Sequence, residues 1–212
     1  MKASLSLAVL AGFAGILGCA AAVPGSHHAK PGWNGRFASG SVGIYLMTGR
    51  KPFTVAQFEC LSQGEESLKG LDSAVRWIPV DSGSKGVREL GGWDLDSLGD
   101  RLAADSAVWS PKPSPALSPS VREALAKVGR AYGIGALVVM RPGDSRNAKD
   151  SADSFRDGAW FGVFDASTGE RLYALSVPVQ GARSVERSAE ADWARQSWTT
   201  FVRGIRAIRG SR

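Results

Sequence analysis

Apolar residues alternate with polar ones along some segments of this chain and recur every three or four positions along others, which is typical of strands and helices respectively. The predicted strands are residues 41–47, 75–80, 136–140, 160–165 and 171–177. Residues 51–64 fit both patterns, and we favour a helix there. The other predicted helices are residues 94–105, 119–132 and 185–208. Their order predicts a single α+β domain, a two-layer sandwich in which helices cover a mixed β-sheet.

Serine, proline and glycine residues mark where several of these elements begin and end. Ser118 can cap the third helix, Pro119 suits its first position, and Gly133 suits the left-handed backbone that ends it. Gly64 is expected to end the first helix. Gly169 supplies the positive φ that the turn between the last two strands requires.

The amino-terminal end has the pattern of a secretory signal. Lys2 precedes an apolar run, residues 5–17, which is too short to span a membrane stably. Residues 16–19, ILGC, resemble the lipobox of bacterial lipoproteins. That resemblance implies that residues 1–18 are removed and that acyl chains, palmitate among them, are attached to Cys19. An ordinary signal peptide cleaved near Ala22 is the alternative.

Lipidation of Cys19 predicts a location in the cell envelope. Each buried methylene of an acyl chain contributes about 0.8 kcal/mol, so several chains hold a protein on a bilayer. Residue 20 is alanine rather than the aspartate typical of inner-membrane retention in enteric bacteria, which favours the periplasmic face of the outer membrane. No second apolar run of about 20 residues follows, so the lipid is the predicted membrane attachment.

Composition divides the rest of the chain into a linker and a domain. Residues 19–36 are rich in small residues, proline and glycine, and predict a flexible tether with a root-mean-square reach of roughly 20 Å. Residues 37–212 form the predicted single domain. Two segments within it predict loops, the proline-rich residues 110–119 and the polar residues 142–158.

Positive charge is concentrated at the carboxyl-terminal end. The chain has 26 Lys and Arg against 20 Asp and Glu. Five arginines follow position 194 without an acidic residue among them: Arg195, Arg203, Arg206, Arg209 and Arg212. They either complement the negative end of a helix dipole or contact an anionic surface, such as phospholipid headgroups or peptidoglycan carboxylates. The chain shows no interleaving of aromatic and basic residues that would indicate a nucleic-acid partner.

Histidine chemistry is confined to the predicted tether. His27 and His28 are the only two histidines, so the domain has no Ser-His-Asp triad and no pair of imidazoles for zinc. Cys60 is the only other thiol besides Cys19, and we expect it to be buried. We therefore predict neither a cofactor nor a metal site, and the residues assign no catalytic set.

Carboxylates leave one enzymatic hypothesis open. Asp94, Asp96 and Asp105 have part of the spacing of a calcium loop, but Leu98 offers no oxygen at the fifth position, so we favour a helix with an acidic cap. Four more carboxylates lie in the polar loop, where we interpret them as solvated: Asp144, Asp150, Asp153 and Asp157. Paired carboxylates could still serve a cell-wall hydrolase, because glycosidases need no histidine.

One segment resembles a known group of envelope proteins. Residues 121–179 contain a helix ending in a glycine turn, a strand, and a second strand followed by Asp165, Thr168, Gly169 and Glu170. This segment resembles part of a domain shared by the curli-secretion channel family, the activators of penicillin-binding proteins and the TolB amino-terminal domain. The resemblance implies a non-enzymatic adaptor or scaffold that acts through an envelope protein partner. A carboxylate hydrolase and a small-ligand-binding lipoprotein remain the alternatives.

Overall fold

The computed structural model describes residues 26–37, 40–47, 55–80, 95–110, 116–142, 158–177 and 187–210. Within these ranges six strands form one sheet: β1 (Ser26–Ala29), β2 (Ser41–Leu46), β3 (Arg76–Pro79), β4 (Ala136–Pro142), β5 (Ala159–Asp165) and β6 (Arg171–Val177). The same ranges contain five helices: α1 (Val55–Lys69), α2 (Leu95–Ala104), α3 (Ser106–Trp109), α4 (Pro119–Tyr132) and α5 (Arg187–Gly210).

The strands form a mixed sheet in the order β1-β6-β5-β4-β2-β3. β2 runs parallel to both β3 and β4, whereas the other neighbouring pairs are antiparallel. Parallel neighbours need a crossover, and α1 provides the one from β2 to β3, while α2, α3 and α4 lie in the chain between β3 and β4. The predicted α+β class, a mixed sheet covered by helices in one domain, is confirmed.

Helices cover both faces of the sheet, so the domain has three layers where two were predicted. α1 and α5 pack on one face, where Ile44 and Val138 are buried with Trp198. α2, α3 and α4 pack on the other face, where Tyr45 and Val139 are buried. Neighbouring strand residues point to opposite faces, so consecutive apolar residues on β2 and β4 require a hydrophobic cover on each side.

Gly64 lies inside α1, which continues to Lys69, so the prediction that this glycine ends the helix is wrong. A Cβ built on Gly64 would come within 2.6 Å of the Trp198 ring of α5. The Trp198 indole Nε1 also donates a hydrogen bond to the Cys60 carbonyl over 3.0 Å. The glycine therefore makes room for a tryptophan of the neighbouring helix.

Part of the predicted tether belongs to the folded domain. Ser26–Ala29 forms the edge strand β1, which pairs antiparallel with β6. Trp33 then packs against Tyr173, with 5.9 Å between the ring centroids. The tether prediction is wrong for residues 26–36, because the backbone supplies the hydrogen bonds of a sheet edge and small or polar side chains can occupy it.

Some sequence predictions concern positions outside the described ranges. These positions are the signal in residues 1–18, Cys19, residues 111–115 of the proline-rich loop, residues 143–157 of the polar loop, and Arg212. Among the residues that are described, α4 begins at Pro119 as predicted. Gly133 and Gly169 have φ values of 62° and 67°, which confirms the left-handed backbone expected at both. The short helix α3 was not predicted.

Candidate anion-binding surface

Three of the carboxyl-terminal arginines form a ridge on α5. Successive helical residues are rotated by about 100°, so Arg203, Arg206 and Arg209 fall within about 120° of arc. Arg203 and Arg206 are exposed and Arg209 is partly buried. We call these three residues the arginine ridge. Arg195 lies two turns earlier and forms an exposed pair with Asp192, with 3.7 Å between nitrogen and oxygen.

The arginine ridge contacts the end of the neighbouring helix. α1 and α5 run in the same direction, and the last carbonyls of a helix lack partners within it. The Arg206 Nη2 donates to the Gly70 carbonyl over 3.2 Å, and the Arg209 Nη1 donates to the Leu71 carbonyl over 3.0 Å. Arg206 and Arg209 thus donate to carbonyls of the turn that directly follows α1, which ends at Lys69.

Arg209 joins three segments that are distant in sequence. Besides its bond to Leu71, its Nε donates to the Gly35 carbonyl over 2.9 Å, and its Nη2 lies 3.1 Å from the Asp72 Oδ2. The side chains of Arg209 and Asp72 are 24% and 27% exposed. These contacts use three of the five N–H donors of the guanidinium group. They hold the group in one place.

A cleft with a volume of about 540 Å³ opens beside the arginine ridge. Its lining consists of Asn34, Arg36, Leu71, Asp72, Ser73 and Arg209. Within the loop, the Asn34 Oδ1 accepts a hydrogen bond from the Arg36 backbone N–H over 3.0 Å. Gly35 has a φ of 72°, and a Cβ there would lie 3.1 Å from the Arg209 Cγ. This close approach brings the exposed Arg36 to the end of α5.

The cleft has the chemistry to hold an oxyanion. Two guanidinium groups line it against one carboxylate, and that carboxylate is already paired with Arg209. Guanidinium groups bind carboxylate or phosphate oxygens through paired N–H donors. Arg36 has the local composition of the tether, and it is the pairing of β1 with β6 that carries the chain to this end of the sheet, so the sequence alone does not indicate Arg36 as a site residue.

Asp105 has a structural role instead of the calcium-binding role considered from its spacing. Its Oδ1 accepts from the Ala107 backbone N–H over 3.0 Å and so caps α3. Its Oδ2 accepts from the Ser118 backbone N–H over 2.9 Å, which ties α3 to the start of α4. Residues 95–104 form α2, so the favoured prediction of a helix is confirmed. Asp94 lies outside the described residues.

The residues that carry the family resemblance build the turn between β5 and β6. The Asp165 Oδ1 accepts from the Ser167 and Thr168 backbone N–H groups over 2.8 and 2.9 Å and from the Ser167 hydroxyl over 2.6 Å. Burial acts to raise the pKa of Asp165, but these hydrogen bonds outweigh it and the pKa lies below its ordinary value. The Thr168 Oγ1 accepts from the Glu170 N–H, and Glu170 pairs with Lys30 over 2.5 Å.

The two histidines point to opposite faces of β1, as neighbouring residues of a strand do. The His27 ring lies 6.2 Å from the Tyr173 ring. Burial, followed by the charges of Arg171 and His27, lowers the pKa of His28. The described part of the chain contains no group of three or more His, Cys, Asp or Glu side chains placed to hold a metal ion.

Cys60 is buried, as predicted, with 2% of its surface exposed. Its Sγ lies 3.6 Å from the Met140 Sδ. Burial raises the pKa of the Cys60 thiol to about 12, which outweighs the opposing effect of a contact with Trp198. Since the thiolate is the reactive form, Cys60 is expected to be inert at neutral pH.

No protein-family model matches this sequence, and no curated protein matches it. Two similar solved structures are of the PelC dodecamer from Paraburkholderia phytofirmans. The first has 12% identity and a TM-score of 0.40, and the match covers 82% of this chain and 93% of that chain. The second, a single-residue variant, has 11% identity and a TM-score of 0.41, covering 83% and 96%. Likeness at this level carries no argument about function.

Within the described ranges, no helix has both the length and the apolar character needed to cross a bilayer.

Proposed function

We propose that this protein is a lipoprotein of the bacterial cell envelope. Acyl chains on Cys19 hold it on the periplasmic face of the outer membrane, and its folded domain acts as a non-enzymatic adaptor that contacts another envelope protein. The observation that carries the adaptor role is that four of the described carboxylates, Asp72, Asp105, Asp165 and Glu170, are engaged in contacts within the fold.

A carboxylate hydrolase needs an acid and a base that face a substrate. Asp105 and Asp165 instead accept backbone hydrogen bonds at a helix start and in a turn. Asp72 pairs with Arg209, and Glu170 pairs with Lys30. The proposal therefore assigns the function to the surface of the domain.

The support for the anchor comes from the residues around Cys19 and from the start of the fold. Residues 16–19 resemble a lipobox, and β1 begins at Ser26, seven positions after Cys19. Seven residues span at most about 25 Å when fully extended. An anchor on Cys19 would thus keep the domain next to the membrane, within reach of other membrane-bound proteins.

Metabolic labelling with an alkyne analogue of palmitate tests the anchor. The wild-type chain should carry the label and fractionate with membranes, because the thiol of Cys19 is the acceptor. Cys19→Ser should lose both properties, while Cys60→Ser, which removes the buried thiol, should keep them. Label that persists in Cys19→Ser, or a wild-type chain without label in the soluble fraction, would contradict the anchor.

Site-specific photo-crosslinking in cells tests the adaptor role. Photoreactive residues would replace the exposed Glu59 and Glu66 of α1 and the exposed Glu123 and Arg130 of α4. An adaptor should give a discrete adduct from one of these two surfaces and not from the other, and Cys19→Ser should abolish it by removing the protein from the membrane. The absence of an adduct from every position, or one that survives Cys19→Ser unchanged, counts against the proposal.

A further inference from the structure

The chain enters the fold at one end of the sheet. Ser26, the first residue of β1, lies opposite Ser176 near the end of β6. β6 begins at Arg171, five residues earlier, so Ser26 lies about 17 Å along the strands from that beginning. Ser26 therefore lies at the end of the sheet where β6 finishes.

The arginine ridge and its cleft lie at the opposite end. Leu71–Ser73 of the cleft lead directly into β3, whose first residue, Arg76, lies opposite Ser41 at the start of β2. The starts of β2 and β4 adjoin each other, and Asp165, the last residue of β5, lies opposite Ala136 at the start of β4. The arginine ridge is therefore separated from Ser26 by most of the length of the sheet.

The segment between Cys19 and Ser26 is short compared with this separation. As a flexible chain, its seven residues have a root-mean-square reach of about 15 Å. To bring the arginine ridge to the same bilayer, they would have to extend beyond this reach, because Ser26 lies about 17 Å along the strands from the other end of the sheet. An anchor on Cys19 therefore places the membrane at the Ser26 end.

We infer, on the premise that Cys19 is lipidated as proposed above, that the arginine ridge and Arg36 face away from the anchoring membrane and bind a carboxylate-bearing polymer of the cell wall. Arg36, Arg203 and Arg206 are exposed, and Arg209 is held in place at the rim of the cleft. The one acid in the cleft, Asp72, is paired. Carboxylates on a polymer beyond the membrane match this surface in charge and in hydrogen-bonding geometry.

Energy transfer from a labelled domain to a membrane acceptor tests the orientation. The lipidated full chain is reconstituted into vesicles that contain an acceptor lipid, with a donor dye on either His27→Cys or Arg203→Cys. Cys60 should not take up the dye, since it is buried and its thiol pKa is about 12. Transfer should be stronger from position 27 than from position 203. Equal transfer, or stronger transfer from position 203, would overturn the inference.

Co-sedimentation with purified peptidoglycan sacculi tests the partner. The double variant Arg203→Gln/Arg206→Gln should bind roughly fivefold more weakly than wild type, because each exposed ionic contact contributes a modest amount. The control Arg122→Gln/Arg130→Gln removes the same charge from exposed positions of α4 and should bind as wild type does. An equal loss in both variants, or no binding by wild type, would refute the wall partner.

Vesicles of phosphatidylglycerol supply the comparison with a lipid surface. The chain with Cys19→Ser should prefer sacculi to these vesicles, and tighter binding to the vesicles would assign the arginine ridge to headgroups instead. Intact mass is measured on the same wild-type preparation. If the chain is lipidated but does not bind sacculi, the inference about the wall polymer is refuted and the anchor on Cys19 stands. If the chain is unmodified, the anchor is refuted, and the sacculus-binding result remains a valid measurement.

Discussion

Two turns at the same end of the sheet differ in the side chains that hold them. The turn between β5 and β6 is held mainly by its own residues, since the Asp165 carboxylate accepts hydrogen bonds from residues two and three positions later. The turn after α1 has backbone hydrogen bonds of its own, such as that from the Asp72 N–H to the Leu68 carbonyl over 3.0 Å. It is also held from outside, because Arg209 contacts Leu71 and Asp72 from 138 and 137 positions away. The first turn is held mainly by local contacts, whereas the second also needs α5 to be packed beside it.

The largest expected effect is at the β5–β6 turn, because this locally held turn also contacts α4. Gly169→Ala should lower the free energy of unfolding by about 3 kcal/mol, since alanine is strained at positive φ and its Cβ would lie 2.6 Å from the Arg122 Cα of α4. Chemical denaturation of the purified full chain measures the change.

Gly133→Ala is the matched control. Gly133 has a similar φ of 62°, but a Cβ there would meet nothing within 4 Å, so the loss should be about 1 kcal/mol from backbone strain alone. An equal decrease in the free energy of unfolding in the two variants would show that the close approach of Gly169 to α4 adds no cost. The β5–β6 turn would then depend on its own residues alone.

The next largest effect is expected at the turn after α1, which Arg209 contacts from α5. Arg209→Met should destabilise the domain by about 2 kcal/mol, because it leaves the Gly35 and Leu71 carbonyls and the Asp72 carboxylate without this donor. Arg203→Met removes an exposed arginine six positions earlier and should change stability by less than about 0.5 kcal/mol. Similar stabilities for the two variants would contradict a structural role for Arg209.

The smallest effect concerns the local turn and depends on pH. Asp165→Asn should cost about 1 kcal/mol near neutral pH, because a neutral amide oxygen accepts the three hydrogen bonds less strongly than a carboxylate. The pKa of Asp165 is lowered in the folded state, so its contribution is present above the ordinary carboxyl pKa and is lost as the pH falls through the folded value. The difference between wild type and variant should therefore shrink below about pH 4. A difference that is constant down to about pH 2 would disprove this.

The comparison also explains which elements the sequence could predict. The β5–β6 hairpin and α4 carry their own signals in Gly169, Pro119 and Gly133, which act on backbone angles within a few residues. Ser118 precedes α4 as predicted, but its side chain makes no capping hydrogen bond. The central strands likewise show their burial in consecutive apolar residues. These elements were predicted nearly to their observed limits.

The errors arose where a distant residue decides the outcome. Gly64 is of a residue type that commonly ends helices, but here Trp198 of α5 occupies the space that a side chain at position 64 would take. The residues of β1 resemble a linker in composition, and only β6 makes them a strand. Arg36 joins Arg209 in the cleft for the same reason, so no local signal could have identified all the residues of the candidate anion-binding surface.

The mass of the mature protein tests the anchor, on which the proposed location and orientation both depend. Mass spectrometry of the chain purified from membranes should find Cys19 as the first residue, carrying a thioether-linked diacylglyceryl group and an acylated amino terminus. A chain that begins near Ala22 without modification would contradict the account. So would one that retains residues 1–18.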